Sequence, residues 1–161
     1  MKRRARARLA GAGVAATSLA ACAVLGTARA REPHVVELCE FLAAMGAEVR
    51  GGGSSTIRID PTARPRGAVH TLRGDYIEAG SWAVVGAVTG GEVEVAGAQP
   101  QDLEPIAAVL AMMGVSMRLD HDSLTVRPSA LVAARRITTG LWPGFPSDIV
   151  SLITVLATQA R

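Results

Sequence analysis

The sequence predicts an α/β fold assembled from a repeated unit of helix, strand, helix, strand and strand. A run of apolar residues at helical spacing, closed by Met-Gly and followed by two segments of alternating polarity, occurs twice, and a proline precedes each occurrence. Because helical and strand patterns alternate along the chain, a mixed α/β architecture is expected. The length of 161 residues is roughly that of one domain.

The first copy follows Pro33. Apolar positions recur with helical spacing over residues 35–46, and the helix is predicted to end at Gly46. Residues 47–50 and 56–60 then alternate in polarity around a glycine-rich turn, which predicts a pair of strands.

The second copy repeats this order after Pro100. A helix over residues 103–114 again ends in Met-Gly, and strands are predicted at residues 115–119 and 123–127. A further strand is predicted at residues 92–95, before the helix.

Two other helices open on an aspartate. Residues 75–85 and 148–160 match in position and apolar character, and they begin at Asp75 and Asp148. With these helices included, each unit contains one helix before its first strand and one helix after it.

Charge and cysteine content exclude several classes of function. Seven basic residues precede the first acid, Glu32, and from there on 10 arginines face 14 acids, so no nucleic-acid-binding surface is expected. Cys22, Cys39 and the histidines lack the spacing of metal ligands or of a disulfide framework, so we predict no metal and no cofactor. Core packing is expected for the sulfur side chains on the apolar helix faces, which are Cys39, Met45, Met112 and Met113.

The most informative segment is Trp142-Pro143-Gly144-Phe145-Pro146-Ser147-Asp148, which runs directly into an apolar helix pattern. The prolines restrict the approach to the helix, and Ser147 or Asp148 is placed to cap its first unpaired N–H groups. One interpretation is that Ser147 and Asp148 only cap the helix. The other is that Asp148 is held for chemistry, since a carboxylate at a helix N-terminus can orient a hydroxyl and take its proton.

Four motifs in this order resemble the UDP-N-acetylglucosamine enolpyruvyl transferases of peptidoglycan synthesis. They are Arg31-Glu32-Pro33-His34, Phe41-Leu42-Ala43-Ala44-Met45-Gly46, Asp75-Tyr76-Ile77-Glu78-Ala79-Gly80-Ser81-Trp82, and Pro143-Gly144-Phe145-Pro146-Ser147-Asp148. The resemblance covers residues 14–161 and implies an inside-out α/β barrel, with helices inside and sheets outside. It also implies that residues 14–161 hold parts of that family's two domains, each of which contains three copies of the repeat.

The resemblance further implies an activity. In such enzymes the 3-hydroxyl of UDP-N-acetylglucosamine adds to C2 of phosphoenolpyruvate, and the tetrahedral intermediate then loses phosphate. Asp148 would be the catalytic base that contacts this hydroxyl, and Ser147 would lie beside it at the nucleotide-sugar site. Glu32, Asp75 and Glu78 lie in matching motifs, either as site residues or only as helix caps and ties between strands. A cytoplasmic location is implied.

The chain also departs from the family. The family has a Lys-Asn pair for phosphoenolpyruvate, a mobile loop whose cysteine acts as an acid, and arginines beyond the Phe-Pro-Ser-Asp helix. Lys2 is the only lysine and has no asparagine after it, and Cys39 lies in mid-helix. Two anionic substrates need such cations, so we expect the chain alone to be inactive and to need the missing parts of the enzyme.

Two other functions stay open. The enolpyruvyl transferase of the shikimate pathway has the same repeat architecture, with a different acceptor. A non-catalytic, exported binding module is the second, because the basic residues 1–13 lead into a small-apolar run that holds the lipobox-like Leu19-Ala20-Ala21-Cys22 and the cleavage-site-like Ala28-Arg29-Ala30.

The same N-terminal run has another interpretation. Residues 14–25 resemble a core helix of the family, and in that case one strand is missing between residues 25 and 31. The run is too weakly apolar for a convincing membrane span, so no stable membrane association is expected.

Overall fold

A computed structural model describes residues 31–60 and 65–161, together with the backbone of two short strands at residues 4–6 and 23–26. The chain divides into two compact units, one holding Arg73–Arg161 and the other lying within Lys2–Leu72. The lipobox-like and cleavage-site-like sequences and residues 14–22 of the predicted core helix lie outside the described residues.

The N-terminal unit contains one helix and two small antiparallel sheets among its described residues. Its elements are β1 (Arg4–Arg6), β2 (Ala23–Gly26), α1 (Pro33–Ala44), β3 (Glu48–Arg50), β4 (Thr56–Asp60) and β5 (Val69–Thr71). The strands pair in the orders β2-β4-β3 and β1-β5.

The second unit contains the complete repeat. Its elements are α2 (Tyr76–Thr89), β6 (Val93–Ala96), α3 (Pro100–Met112), β7 (Ser116–Asp120), β8 (Ser123–Arg127) and α4 (Val150–Gln159). The strand order β6-β8-β7 matches β2-β4-β3. Ile57 of β4 and Leu124 of β8 are paired with the neighbouring strand at equivalent positions, and each is 2% exposed. The predicted repeat is therefore confirmed.

The Met-Gly endings form the same helix stop in both copies. Gly46 and Gly114 have φ angles of 98° and 79°, which a residue with a Cβ atom rarely adopts. In the first copy the Gly46 N–H donates to the Ala43 carbonyl at 2.9 Å and the Ala47 N–H donates to the Leu42 carbonyl at 3.1 Å. The second copy repeats both bonds, so each helix ends in a Schellman motif and the chain turns directly into a strand.

One prediction about the first copy was wrong. The strand expected to be missing before α1 is present as β2, antiparallel to β4 and placed as β6 is placed against β8. Short runs of small apolar residues suit a helix or a strand equally well, and pairing with β4 decides the outcome.

The larger core surrounds α2. This helix packs against β6, β8, α3 and α4. Many of its buried positions are alanine or glycine, and a Cβ atom on Gly86 would lie 3.1 Å from Val93 Cγ2 and 3.3 Å from Val126 Cγ1. Small side chains on α2 therefore allow close contact between helix and sheet, which suits a core with few aromatic residues.

The sulfur side chains divide between core and surface. Met113 is fully buried and Cys39 is 8% exposed, whereas Met112 is 47% exposed and does not pack in the core as expected. Met113 lies at the end of the helix on the side that faces the core. Met112, one residue earlier, points about 100° away around the helix axis.

None of the described helices is both long and apolar enough to cross a bilayer.

Cys39 is expected to react slowly with alkylating reagents at neutral pH. Burial, and secondarily the Glu40 carboxylate, raise the pKa of its thiol, so the reactive thiolate is scarce and labelling should accelerate as pH rises. Iodoacetamide labelling read by peptide mass spectrometry, in native and urea-unfolded protein, measures this. Equal rates in the two states at pH 7 would contradict it.

Candidate functional site

A tight loop delivers the chain to Ser147 and Asp148. Thr139 and Phe145 form a parallel bridge, and the Gly140 N–H donates to the Phe145 carbonyl at 3.0 Å. Within the loop the Gly144 N–H donates to the Leu141 carbonyl at 2.6 Å. These bonds fold residues 139–145 back on themselves and set the direction in which the chain leaves the loop.

Two further features fix the loop. A Cβ atom on Gly144 would lie 2.8 Å from the Leu141 carbonyl oxygen, so only glycine fits there without a shift of backbone. The Trp142 ring meets the Tyr76 ring edge to face, with centroids 5.4 Å apart and planes at 65°. Because Tyr76 is the first residue of α2, this contact ties the loop to the central helix.

Buried side chains lie on either side of the candidate site. Phe145 is 5% exposed and Ile149 is fully buried, whereas Ser147 and Asp148 between them are exposed. The two apolar anchors hold the backbone of the intervening residues, and the Asp148 carboxylate is thereby presented to solvent from a fixed position.

The predicted capping role of Ser147 and Asp148 is wrong. These residues begin a 3₁₀ turn, Ser147–Ile149, whose N-cap is Pro146, and no side chain caps either this turn or α4. Asp148 is the second residue of the turn, inside it rather than at the extended position where a cap lies. Asp75 by contrast does cap α2, accepting from the Ile77 N–H at 2.8 Å and the Glu78 N–H at 3.4 Å.

The absence of a capping bond leaves Asp148 available as an acceptor. Ser147 Oγ donates to its Oδ1 at 3.3 Å, and no other described residue hydrogen-bonds or ion-pairs with this carboxylate. An ionised carboxylate has about four acceptor positions. Asp148 can therefore accept a hydrogen bond from a ligand hydroxyl without giving up a bond that stabilises the helix.

The other motif acids have local roles. Glu32, in the N-terminal unit, pairs with His34 at 3.0 Å, and Asp75 caps α2. Glu78 is exposed in the first turn of α2, where an acid favours the helix dipole. Cap and helix-end interactions account for what is seen at these positions.

Sequence reasoning missed the supports of the site. Tyr76, Trp142 and Phe145 are three of the five aromatic residues of the whole chain, and all three lie in or against this loop. That concentration was visible in the sequence and marks the segment as a packed structure. Among the described residues no group of three or more histidine, cysteine or acidic side chains could hold a metal ion.

The fold is that of the enolpyruvyl transferases. The crystal structure of the enolpyruvyl transferase NikO from Streptomyces tendae matches with a TM-score of 0.67 at 24% identity, over 81% of this chain and 32% of that one. At this identity the match shows the fold alone, and it confirms the predicted α/β enolpyruvyl transferase architecture in incomplete form.

The chain belongs to the family described as EPSP synthase (3-phosphoshikimate 1-carboxyvinyltransferase), whose model matches residues 8–161. It is similar to UDP-N-acetylglucosamine 1-carboxyvinyltransferase from Treponema denticola, with 34% identity over 92% of this chain and 37% of that protein. UDP-N-acetylglucosamine 1-carboxyvinyltransferase 2 from Bacillus cereus is 38% identical over 82% of the chain and 31% of its own length. The chain thus spans about a third of these relatives.

Substitution of each aspartate in turn should show that Asp75 stabilises the fold and that Asp148 does not. We expect Asp75→Ala to lower the free energy of unfolding by about 1 kcal/mol, because a cap is lost, and Asp148→Ala to change it by less than about 0.5 kcal/mol, because no cap is lost. Urea unfolding followed by circular dichroism measures both. A loss from Asp148→Ala as large as that from Asp75→Ala would contradict the assignment.

Proposed function

We propose that this chain is the part of a UDP-N-acetylglucosamine 1-carboxyvinyltransferase that holds a carboxylate against the sugar 3-hydroxyl. The observation that carries the proposal is the position of the Asp148 carboxylate. It is exposed, it caps no helix, and it lies between the buried residues Phe145 and Ile149. The names of relatives at 34% and 38% identity support this acceptor.

In the proposed reaction Asp148 accepts a hydrogen bond from the 3-hydroxyl and takes its proton as the hydroxyl oxygen bonds to C2 of phosphoenolpyruvate. A proton from a separate acid reaches C3 of phosphoenolpyruvate and gives a tetrahedral intermediate. This intermediate then loses phosphate from C2 and a proton from C3 to a base, which forms the enol ether. Ser147 lies beside the carboxylate, and its 3.3 Å bond to Asp148 is long enough to give way to a ligand.

The main alternative concerns the molecule that accepts the enolpyruvyl group. The family description names 3-phosphoshikimate as acceptor, so transfer to a shikimate phosphate is the second candidate. The Asp-x-Ile-Glu-Ala-Gly and Phe-Pro-Ser-Asp motifs, together with the named relatives, favour the nucleotide sugar.

Surface chemistry supports a need for further protein. The helix α4 contains no charged residue, yet Val150 and Val155 are 40% and 48% exposed, and Trp82 of α2 is 50% exposed. Large apolar side chains that lie exposed on uncharged stretches of helix are typical of surfaces that other protein covers. We therefore propose that catalysis requires the parts of the enzyme that relatives possess beyond the matched third, including the cations for phosphoenolpyruvate.

The proposed activity is expected in the cytoplasm, where UDP-sugars and phosphoenolpyruvate are found, and it would serve peptidoglycan synthesis and through it cell shape and division. Cleavage after Ala30 or a lipid on Cys22 would instead support the exported binding module.

Binding of UDP-N-acetylglucosamine should depend on Asp148. We expect Asp148→Asn to weaken binding about tenfold, because a hydrogen bond to a charged acceptor is lost. Saturation-transfer NMR at millimolar ligand measures this, with shikimate 3-phosphate as the competing acceptor. Glu94→Gln, an exposed acid on the sheet of the same unit, is the matched control and should bind like the parent. Equal binding by the Asn variant would contradict the role of Asp148.

The chain alone should release no phosphate from phosphoenolpyruvate and UDP-N-acetylglucosamine. Two anionic substrates without a lysine and arginine clamp lose most of the electrostatic stabilisation that the transition state needs. A coupled phosphate-release assay with both substrates measures turnover, and a rate above the enzyme-free blank would overturn this expectation.

A further inference from the structure

Gly80 of α2 lies directly against the residue that follows Asp148. A Cβ atom on Gly80 would lie 2.8 Å from Ile149 Cδ1 and 3.1 Å from both Ile106 Cδ1 and Ile106 Cγ2. Gly80 lies within the motif that begins at Asp75, and neither the cap nor the proposed reaction uses this glycine. The two motifs, far apart in sequence, are therefore in contact at this point.

The contact leaves Ile149 little freedom. Carbon atoms pack at about 3.5–4.0 Å, so a methyl group at Gly80 would overlap Ile149. Ile106 of α3 is 1% exposed and Ile149 itself is fully buried, so a displaced Ile149 side chain would have to press against other packed residues of the core. Ile149 and Asp148 share a peptide bond, and a shift of Ile149 away from α2 would move Asp148 with it.

We propose that Gly80 is a positioning residue for Asp148. Because glycine has no side chain, Ile149 can pack close to α2, and the depth of this packing determines where the Asp148 carboxylate meets the sugar hydroxyl. The inference rests on the proposed function for its consequence in binding, but the placement of Asp148 can be tested without any ligand.

The test compares two glycines of the same helix. Gly80→Ala should shift the backbone amide signals of Ser147 and Asp148 in ¹⁵N-labelled protein and weaken UDP-N-acetylglucosamine binding about tenfold, as for loss of a hydrogen bond to a charged acceptor. Gly86→Ala is the matched control, because its Cβ would be crowded to 3.1 Å by Val93 on the sheet. It should lower the melting temperature yet leave the Ser147 and Asp148 signals and the affinity unchanged.

A compensating substitution separates positioning from a general loss of stability. Ile149→Val removes the Cδ1 atom that the new methyl group would meet, so Gly80→Ala combined with Ile149→Val should return the two amide signals and the affinity toward those of the parent protein. Rescue of this kind is expected only if the contact between residues 80 and 149 transmits the effect.

The outcomes are distinguishable. If the parent chain does not bind the nucleotide sugar, the proposed function fails, and the amide signals still decide the inference about Gly80. Unshifted Ser147 and Asp148 signals in Gly80→Ala, or a double variant that stays displaced, would overturn it. Failure of both the single and the double variant to fold would also overturn it, since Gly80 would then serve the fold rather than the placement of Asp148.

Discussion

The close approach of α2 to its neighbours is the constraint on which the Arg73–Arg161 unit depends. Ala79, Ala83 and Ala87 are nearly fully buried on this helix, which packs against β6 and β8 and also against α3 and α4. With few aromatic side chains available, the core is filled by aliphatic residues that reach α2 from several elements. Ile149 and Leu156, both fully buried, bring α4 and the candidate site into the same core.

Where apolar residues recur with the period of a helix or of a strand, the sequence pattern predicted the fold well. The Met-Gly helix ends and the alternating strands after them are local signals, and the Schellman motifs and paired strands follow from them. The strand Ala23–Gly26 was missed because four small apolar residues have no usable period and only its pairing with β4 identifies it. A contact between distant segments leaves no trace in local pattern.

The candidate site shows the same limit more sharply. The interpretation of Ser147 and Asp148 as helix caps depended on a helix boundary that the 3₁₀ turn moves by one or two positions. The tie of Trp142 to Tyr76 joins residues far apart in sequence, and no window of local sequence can reveal it. Geometry at helix starts is therefore harder to predict than the existence of the helices.

The two aspartates at equivalent helix starts show how duplication can divide a task between copies. Asp75 satisfies backbone donors with its side chain, while Asp148 caps no helix and accepts, among the described residues, from the Ser147 hydroxyl. Capping bonds occupy acceptor positions and fix the direction of a carboxylate, so a capping aspartate has fewer acceptor positions left for an outside hydroxyl than one that caps nothing. Once a repeat exists in two copies, the aspartate of one copy can continue to cap its helix. The aspartate of the other copy can then take on a role in binding or catalysis without loss of the helix that carries it.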